Sequence, residues 1–179
     1  GTTIGILGLG KLGRQVAGIG KALGMKPIAW STNLTREACE QAGVSYATKD
    51  ELFATADVIT IHLVLSARSR GLVSRDDIAR MKPTAYLINI GRGVLVSLDD
   101  LTAALEGGTI AGAALDVFEV EPLPADHPLW RMPNTILTPH VAGMFPRVAE
   151  RHTAVLLENI RRFTAGEPLT NVVDKRRWF

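Results

Sequence analysis

Cysteine is nearly absent from this sequence: Cys39 stands alone among 179 residues. A disulfide within the chain is therefore impossible, and no cysteines are spaced to hold a metal, so no metal is expected. A single unpaired thiol suits a reducing compartment, which makes the cytoplasm the expected location. A strong excess of one charge is lacking too, since the formal net charge is +2. The two signs balance through residue 149, and the small excess falls in 150–179. No basic face is implied, and nucleic acid is not an expected partner. No apolar run approaches the ~20 residues of a membrane span, and the glycine-broken opening GTTIGILGLGKLG has no cationic lead-in, so no membrane association is expected. What is present is 46% hydrophobic and 21% charged. That is the composition of a water-soluble globular fold, with length for one domain or a little more.

Strand-like and helix-like segments alternate from end to end, the pattern of an α/β fold with a parallel sheet. Thr3–Leu7 reads as a first strand, and a helix from Lys11 to about Leu23 follows, with Leu12, Val16, Ile19 and Leu23 on one face. Gly24 stops that helix. Further strands are read at 27–31, 44–46, 57–63, 85–90, 110–117 and 135–138, giving a doubly wound sheet of about six parallel strands with the first strand inside it. Thr48, Ser74 and Ser97 each precede acidic residues and open helices between them. The loop at 118–134 holds four of the nine prolines, and helical spacing returns from about Arg147 to Phe163. The final residues have no clear period and leave Trp178 and Phe179 exposed unless something covers them.

Gly8-Leu-Gly10-Lys-Leu-Gly13 is GxGxxG between a strand and a helix. In that setting the first glycine permits the tight turn, the second lets a pyrophosphate approach the backbone, and the third lets helix and strand pack closely. The helix N-terminus then offers free N–H groups to the phosphates. The tip of the second strand, Trp30-Ser31-Thr32-Asn33, carries no carboxylate for the adenosine ribose. Nothing there repels a 2′-phosphate, and Arg36 is either a partner for one or a solvated helix arginine. The cofactor is NAD or NADP, with the balance tipped toward NADP.

From its first strand to Val173 the chain resembles the cofactor domain of the D-isomer-specific 2-hydroxyacid dehydrogenases. GILGLGKLG at 5–13, HLVLSARSRGLV at 62–73, MKPTAYLINIGRGVLV at 81–96, and GAALDVFEVEPLPADHPL with NTILTPHVAG within 112–143 carry the resemblance. It implies that Arg92, in Gly91-Arg92-Gly93, holds the substrate carboxylate and polarises its C2 oxygen, a task suited to a guanidinium fork. It implies that His140, after Thr138-Pro139, is the general acid/base, and that Glu121, before Pro122, pairs with it and stabilises its charged form. Taken singly, such a His and such a Glu are more often surface groups; the complete set of three reverses that weighting.

For the cofactor, the resemblance points to Gly8, Gly10, Lys11, Leu12 and Gly13 at the pyrophosphate, Ser31 at the ribose, and Leu63, Val64 and Ser66 beside the adenosine. Near the nicotinamide it points to Ile90, Gly91, Arg92, Asp116, His140 and Gly143, with Asp116 accepting from the carboxamide. The implied activity is hydride transfer between NAD(P) and a 2-hydroxy acid/2-oxo acid pair. A dinucleotide-dependent regulatory module of the corepressor type, without turnover, is the alternative. A homodimer through this domain is implied as well. The expected organisation is an NAD(P)-binding Rossmann domain at 1–146, then a helix and tail at 147–179 that return to a substrate domain missing ahead of the first strand. On that reading the 179-residue chain binds dinucleotide and turns over 2-oxo acids poorly by itself.

Overall fold

A computed structural model describes residues 1–175; the tail aromatics Trp178 and Phe179 lie outside the described residues. Seven strands form one sheet: β1 (Thr3–Leu7), β2 (Lys26–Trp30), β3 (Ser45–Tyr46), β4 (Val58–Ile61), β5 (Tyr86–Asn89), β6 (Gly112–Leu115) and β7 (Thr135–Leu137). Their order is β3-β2-β1-β4-β5-β6-β7, and every neighbouring pair is parallel. The short strands β3 and β7 close the two edges, and β1 is interior. Strand order reverses between β1 and β4, which opens a crevice at their carboxyl ends.

Register places the loops. Leu7 is opposite Ile61, Ile61 opposite Asn89, Asn89 opposite Leu115, and Leu115 opposite Leu137. These residues end their strands in one row across the sheet. Gly8, His62, Ile90, Asp116 and Thr138 therefore leave it at one level, and the loops they begin lie side by side.

Helices α1 (Lys11–Ala22), α2 (Arg36–Gln41), α3 (Lys49–Thr55), α4 (Arg75–Ala79) and α5 (Leu98–Glu106) pack on both faces. Alternation along β1 divides the core: Ile4 and Ile6 join Ala17, Ala29, Cys39 and Val44, while Leu7 joins Leu52, Phe53, Ile59, Ile61, Leu87 and Leu101. The expected caps form. Thr48 and Glu51 make a reciprocal capping box on α3, and Ser97 accepts from Asp100 N–H on α5. At α4 the Asp77 carboxylate accepts from both the N–H and the hydroxyl of Ser74, and pairs with Lys49 Nζ at 2.8 Å.

The buried face of α1 differs from the expectation. Gly13, Ala17 and Gly20 face the sheet, whereas Leu12, Ile19 and Leu23 are exposed. The cause is the close approach that the glycine turn imposes: a Cβ at Gly13 would stand 2.1 Å from the Gly8 carbonyl oxygen. Only small residues fit against β1 at that distance, so the larger apolar stripe is turned outward.

The chain divides into two compact units, Gly1–Ala142 and the segment from Gly143 onward. In the second unit α6 (Val148–Thr164) has no buried residue and exposes Leu156, Ile160 and Phe163. Asn159 ties the following segment back to this helix by accepting from the N–H and hydroxyl of Thr170. Among the described residues no helix is long and apolar enough to cross a membrane.

Candidate active site

The turn between β1 and α1 is made by what its glycines lack. Gly8 has φ +101°, in the left-handed region, and a Cβ there would meet the His62 carbonyl at 2.8 Å. At Gly10 a Cβ would meet nothing within 4 Å. Gly10 caps α1 without a side-chain hydrogen bond, and the first turn of the helix holds no acidic residue. The N–H groups and partial positive charge of this helix end thus face open space, which fits the pyrophosphate of a dinucleotide. At the end of β2, Ser31 is half-buried and Thr32 and Asn33 are exposed. The Arg36 guanidinium stacks over Tyr46, 4.6 Å from the ring centre.

Across the crevice stand the candidate reacting groups. Arg92 follows β5, is exposed, and donates from Nη1 to the Gly91 carbonyl at 2.7 Å. His140 Nδ1 and Glu121 Oε2 are 2.7 Å apart. A carboxylate only accepts, so Nδ1 carries the proton and Nε2 is the ring nitrogen left for other chemistry. The hydrogen bond from His140 holds the Glu121 carboxyl below the usual carboxylate range, aided by the Phe118 N–H and by the charges of His140 and Arg92. The Glu121–Pro122 peptide is cis.

His140 itself has φ +54°, a conformation costing a non-glycine residue on the order of 1–2 kcal/mol. It is held there by Asp116, the first residue past β6, which is 3% exposed. Asp116 Oδ1 accepts from the Thr138 hydroxyl at 2.5 Å and from Val141 N–H at 2.8 Å, and Oδ2 accepts from Ala142 N–H at 2.8 Å. Burial pushes this carboxyl upward, but those donors and the nearby His140 charge outweigh it and leave it below its ordinary value. Beside the His140–Glu121 pair opens a cavity of about 450 Å³ with mostly apolar walls, among them Phe118, Leu123, Trp130 and Leu137.

Comparison with known proteins gives the family. Residues 1–142 match the model of the D-isomer specific 2-hydroxyacid dehydrogenase, NAD binding domain. The chain belongs to that family, as its NAD-binding domain. It is 41% identical over 175 residues to a glyoxylate reductase of Aeropyrum pernix, covering 98% of this chain and 52% of the reductase. A D-isomer specific 2-hydroxyacid dehydrogenase from Xanthobacter autotrophicus, solved with NADPH, is 40% identical with a TM-score of 0.81, over 99% of this chain and 73% of that one. A D-lactate dehydrogenase from Lactobacillus jensenii, solved with NAD+, is 33% identical with a TM-score of 0.87, over 97% and 56% of the two chains. The chain spans about half the length of the reductase it matches. The corepressor-type alternative receives no support from these relatives.

For this 2-hydroxyacid dehydrogenase domain, the remaining sequence-selected residues of the first unit lie in the turns that follow β1, β4 and β5. Lys11 and Leu12 are exposed at the start of α1. Leu63 is half-buried against Gly8, and Val64 is exposed. The Ser66 N–H is taken up by the Ser69 hydroxyl, which also donates to the Val64 carbonyl, so the turn after β4 is built around Ser69. Ile90 is exposed, Gly91 is half-buried, and Gly143 opens the second unit. His62 bonds Thr60 through Nε2 at 3.0 Å, and burial lowers its pKa; His127 accepts from Leu129 N–H through Nδ1. Both serve the fold. Sequence reasoning missed Ser69, Asn89 and Thr138, whose only signal is a polar residue within or beside an apolar strand or turn.

Proposed function

We propose that this protein is an NAD(P)-dependent oxidoreductase acting on a 2-hydroxy acid/2-oxo acid pair, with Arg92, Glu121 and His140 as its catalytic residues. The observation that carries the reading is the His140–Glu121 hydrogen bond of 2.7 Å, with the Arg92 turn packed at Gly93 against the loop that leads to Glu121. When bound, the nicotinamide supplies the centre that gives or takes the hydride. Arg92 engages the substrate carboxylate with its fork and draws electron density from the C2 oxygen. In reduction His140 delivers a proton from Nε2 to that oxygen, and in oxidation it removes the hydroxyl proton. Glu121 keeps the ring oriented and balances its positive charge.

Gly8, Gly10, Lys11, Leu12 and Gly13 hold the pyrophosphate in this proposal, and Ser31 lies at the ribose. Leu63, Val64 and Ser66 border the adenosine side. Ile90, Gly91 and Gly143 lie toward the nicotinamide, where Asp116 has one acceptor position of Oδ2 left for the carboxamide. The cofactor preference is NADP at least equal to NAD, because the Ser31-Thr32-Asn33 tip carries no negative charge. Residues 1–146 act as the cofactor domain and 147–179 as a helix and tail returning to a substrate domain. The protein works as a cytoplasmic homodimer: the single thiol, Cys39, is buried and unpaired, and Val120 and Trp130 of the 118–134 loop present apolar surface for a second copy.

The test is a screen of glyoxylate, pyruvate, hydroxypyruvate and phenylpyruvate with NADH and NADPH, following loss of reduced-nicotinamide absorbance. Turnover of at least one acid is expected, slow in this chain by itself and faster with a substrate domain supplied, with NADPH bound no more weakly than NADH. A tenfold preference for NADH, worth about 1.4 kcal/mol, contradicts the cofactor assignment. Dinucleotide binding with no turnover of any acid, even with a substrate domain supplied, contradicts the reaction.

A further inference from the structure

Two neighbours with no part in the reaction as drawn so far hold the turn that carries Arg92. Asn89 ends β5, is 1% exposed, and spends its side chain wholly on this turn. Its Oδ1 accepts from the Gly91 N–H at 3.1 Å and its Nδ2 donates to the Arg92 carbonyl at 3.0 Å. Only the amide oxygen accepts and only the amide nitrogen donates, so both bonds hold for one orientation of the side chain. Opposite, Gly93 lies against the loop that leads to Glu121: a Cβ there would fall 1.9 Å from the Phe118 carbonyl carbon and 2.5 Å from the Glu119 nitrogen. The backbone contact at Gly93 sets the separation of the Arg92 and Glu121 loops. The Asn89 bracket sets the planes of two peptides, the one before Gly91 and the one after Arg92. Between them lies the peptide whose carbonyl receives the Arg92 Nη1. An apolar residue at position 89 would satisfy the core equally well; a buried amide there is worth its desolvation only where both its bonds are made.

We propose that Asn89 is a positioning residue for Arg92: its buried amide locks the peptides on either side of the arginine so that the guanidinium is presented to a substrate carboxylate. This rests on the reading of Arg92 as the carboxylate-binding residue. Asn89 touches neither substrate nor cofactor in this assignment; its loss reaches acid binding through Arg92, and any shift of Gly91 is read separately in the dinucleotide Kd.

A double-mutant cycle on the protein saturated with dinucleotide tests it, with oxalate as the probe because it has the planar shape and charge of a 2-oxo acid. Calorimetry compares Asn89→Ala, Arg92→Ala and the double variant, and fluorescence titration gives the dinucleotide Kd of each. The expected result is that Asn89→Ala weakens oxalate about tenfold in the parent and less than about twofold in the Arg92→Ala background, with dinucleotide Kd changed less than about threefold. Asn89→Ser, which keeps one of the two bonds, is expected to fall between and serves if the alanine variant does not fold. Equal weakening in both backgrounds, or oxalate binding that does not depend on Arg92, overturns the proposal. Arg92-dependent oxalate binding with a non-additive cycle, in a protein that reduces no 2-oxo acid even with a substrate domain supplied, upholds this inference and rejects the proposed reaction.

Discussion

The turn after β1 and the loop after β7 reach the same edge of the sheet by opposite means. The first is shaped by missing side chains: Gly8 and Gly13 leave no room for a Cβ, and Gly10 leaves open space where a phosphate fits. The second is shaped by one added group, the Asp116 carboxylate, whose three hydrogen bonds bracket His140 and keep it at φ +54°. A cofactor recognised through backbone N–H groups needs close approach, which glycine supplies. A proton-transferring side chain needs one fixed direction, which a buried acceptor supplies.

Substitutions at each site separate the two devices. The largest stability loss is expected for Gly13→Ala, which sets a Cβ 2.1 Å from the Gly8 carbonyl oxygen. It should cost about 3 kcal/mol or more in denaturant titration and abolish dinucleotide binding, because backbone must move on both sides. Gly10→Ala sharpens the contrast: stability should change by less than about 0.5 kcal/mol, while dinucleotide affinity falls at least about tenfold as the new methyl enters the phosphate space. At the other loop, Asp116→Ala leaves the Thr138 hydroxyl and the Val141 and Ala142 N–H groups without their acceptor. A loss of about 2–4 kcal/mol is expected, together with a fall in turnover on the order of 10²-fold from the displaced His140. Unchanged turnover in Asp116→Ala would show that the buried carboxylate does not orient His140.

A smaller, pH-dependent effect is expected away from both loops, at Asp77. Burial pushes its carboxyl up, but Lys49 and the N–H and hydroxyl of Ser74 outweigh that and hold it below the ordinary value. The unfolded chain therefore takes up this proton first as pH falls. The stabilisation is complete above the unfolded carboxylate pKa of about 3.9 and disappears as pH drops through the lower folded value. Asp77→Asn should cost about 1–2 kcal/mol near neutrality and progressively less below pH ~4. A cost that grows on acidification would reverse the assigned sign.

Legibility in the sequence follows the range of the interactions. The glycine turn, the strands and the caps of α3 and α5 were readable because their determinants lie within a few residues of one another. The face of α1 was not, since helical spacing favoured Leu12, Ile19 and Leu23 while close packing on β1 selected Gly13, Ala17 and Gly20. Arg92, Glu121 and His140 were proposed through family resemblance rather than through local pattern. The clamp on His140 spans 25 and 26 residues from Asp116 to Val141 and Ala142, and no local signal announces it. Asn89 is nearer its partners, yet it reads as the polar end of a strand until its two bonds are seen.

The most direct measurement is the rate of 2-oxo acid reduction by His140→Ala with a substrate domain supplied, taken with the Kd of the reduced dinucleotide for the same protein. Loss of a positioned acid/base should lower kcat by about 10²–10⁴-fold, while the dinucleotide Kd, set mainly by the untouched cradle at Gly8, Gly10 and Gly13, should shift by less than about tenfold. A kcat within tenfold of the parent, at unchanged Kd, would contradict the assignment of His140 as the proton-transferring group.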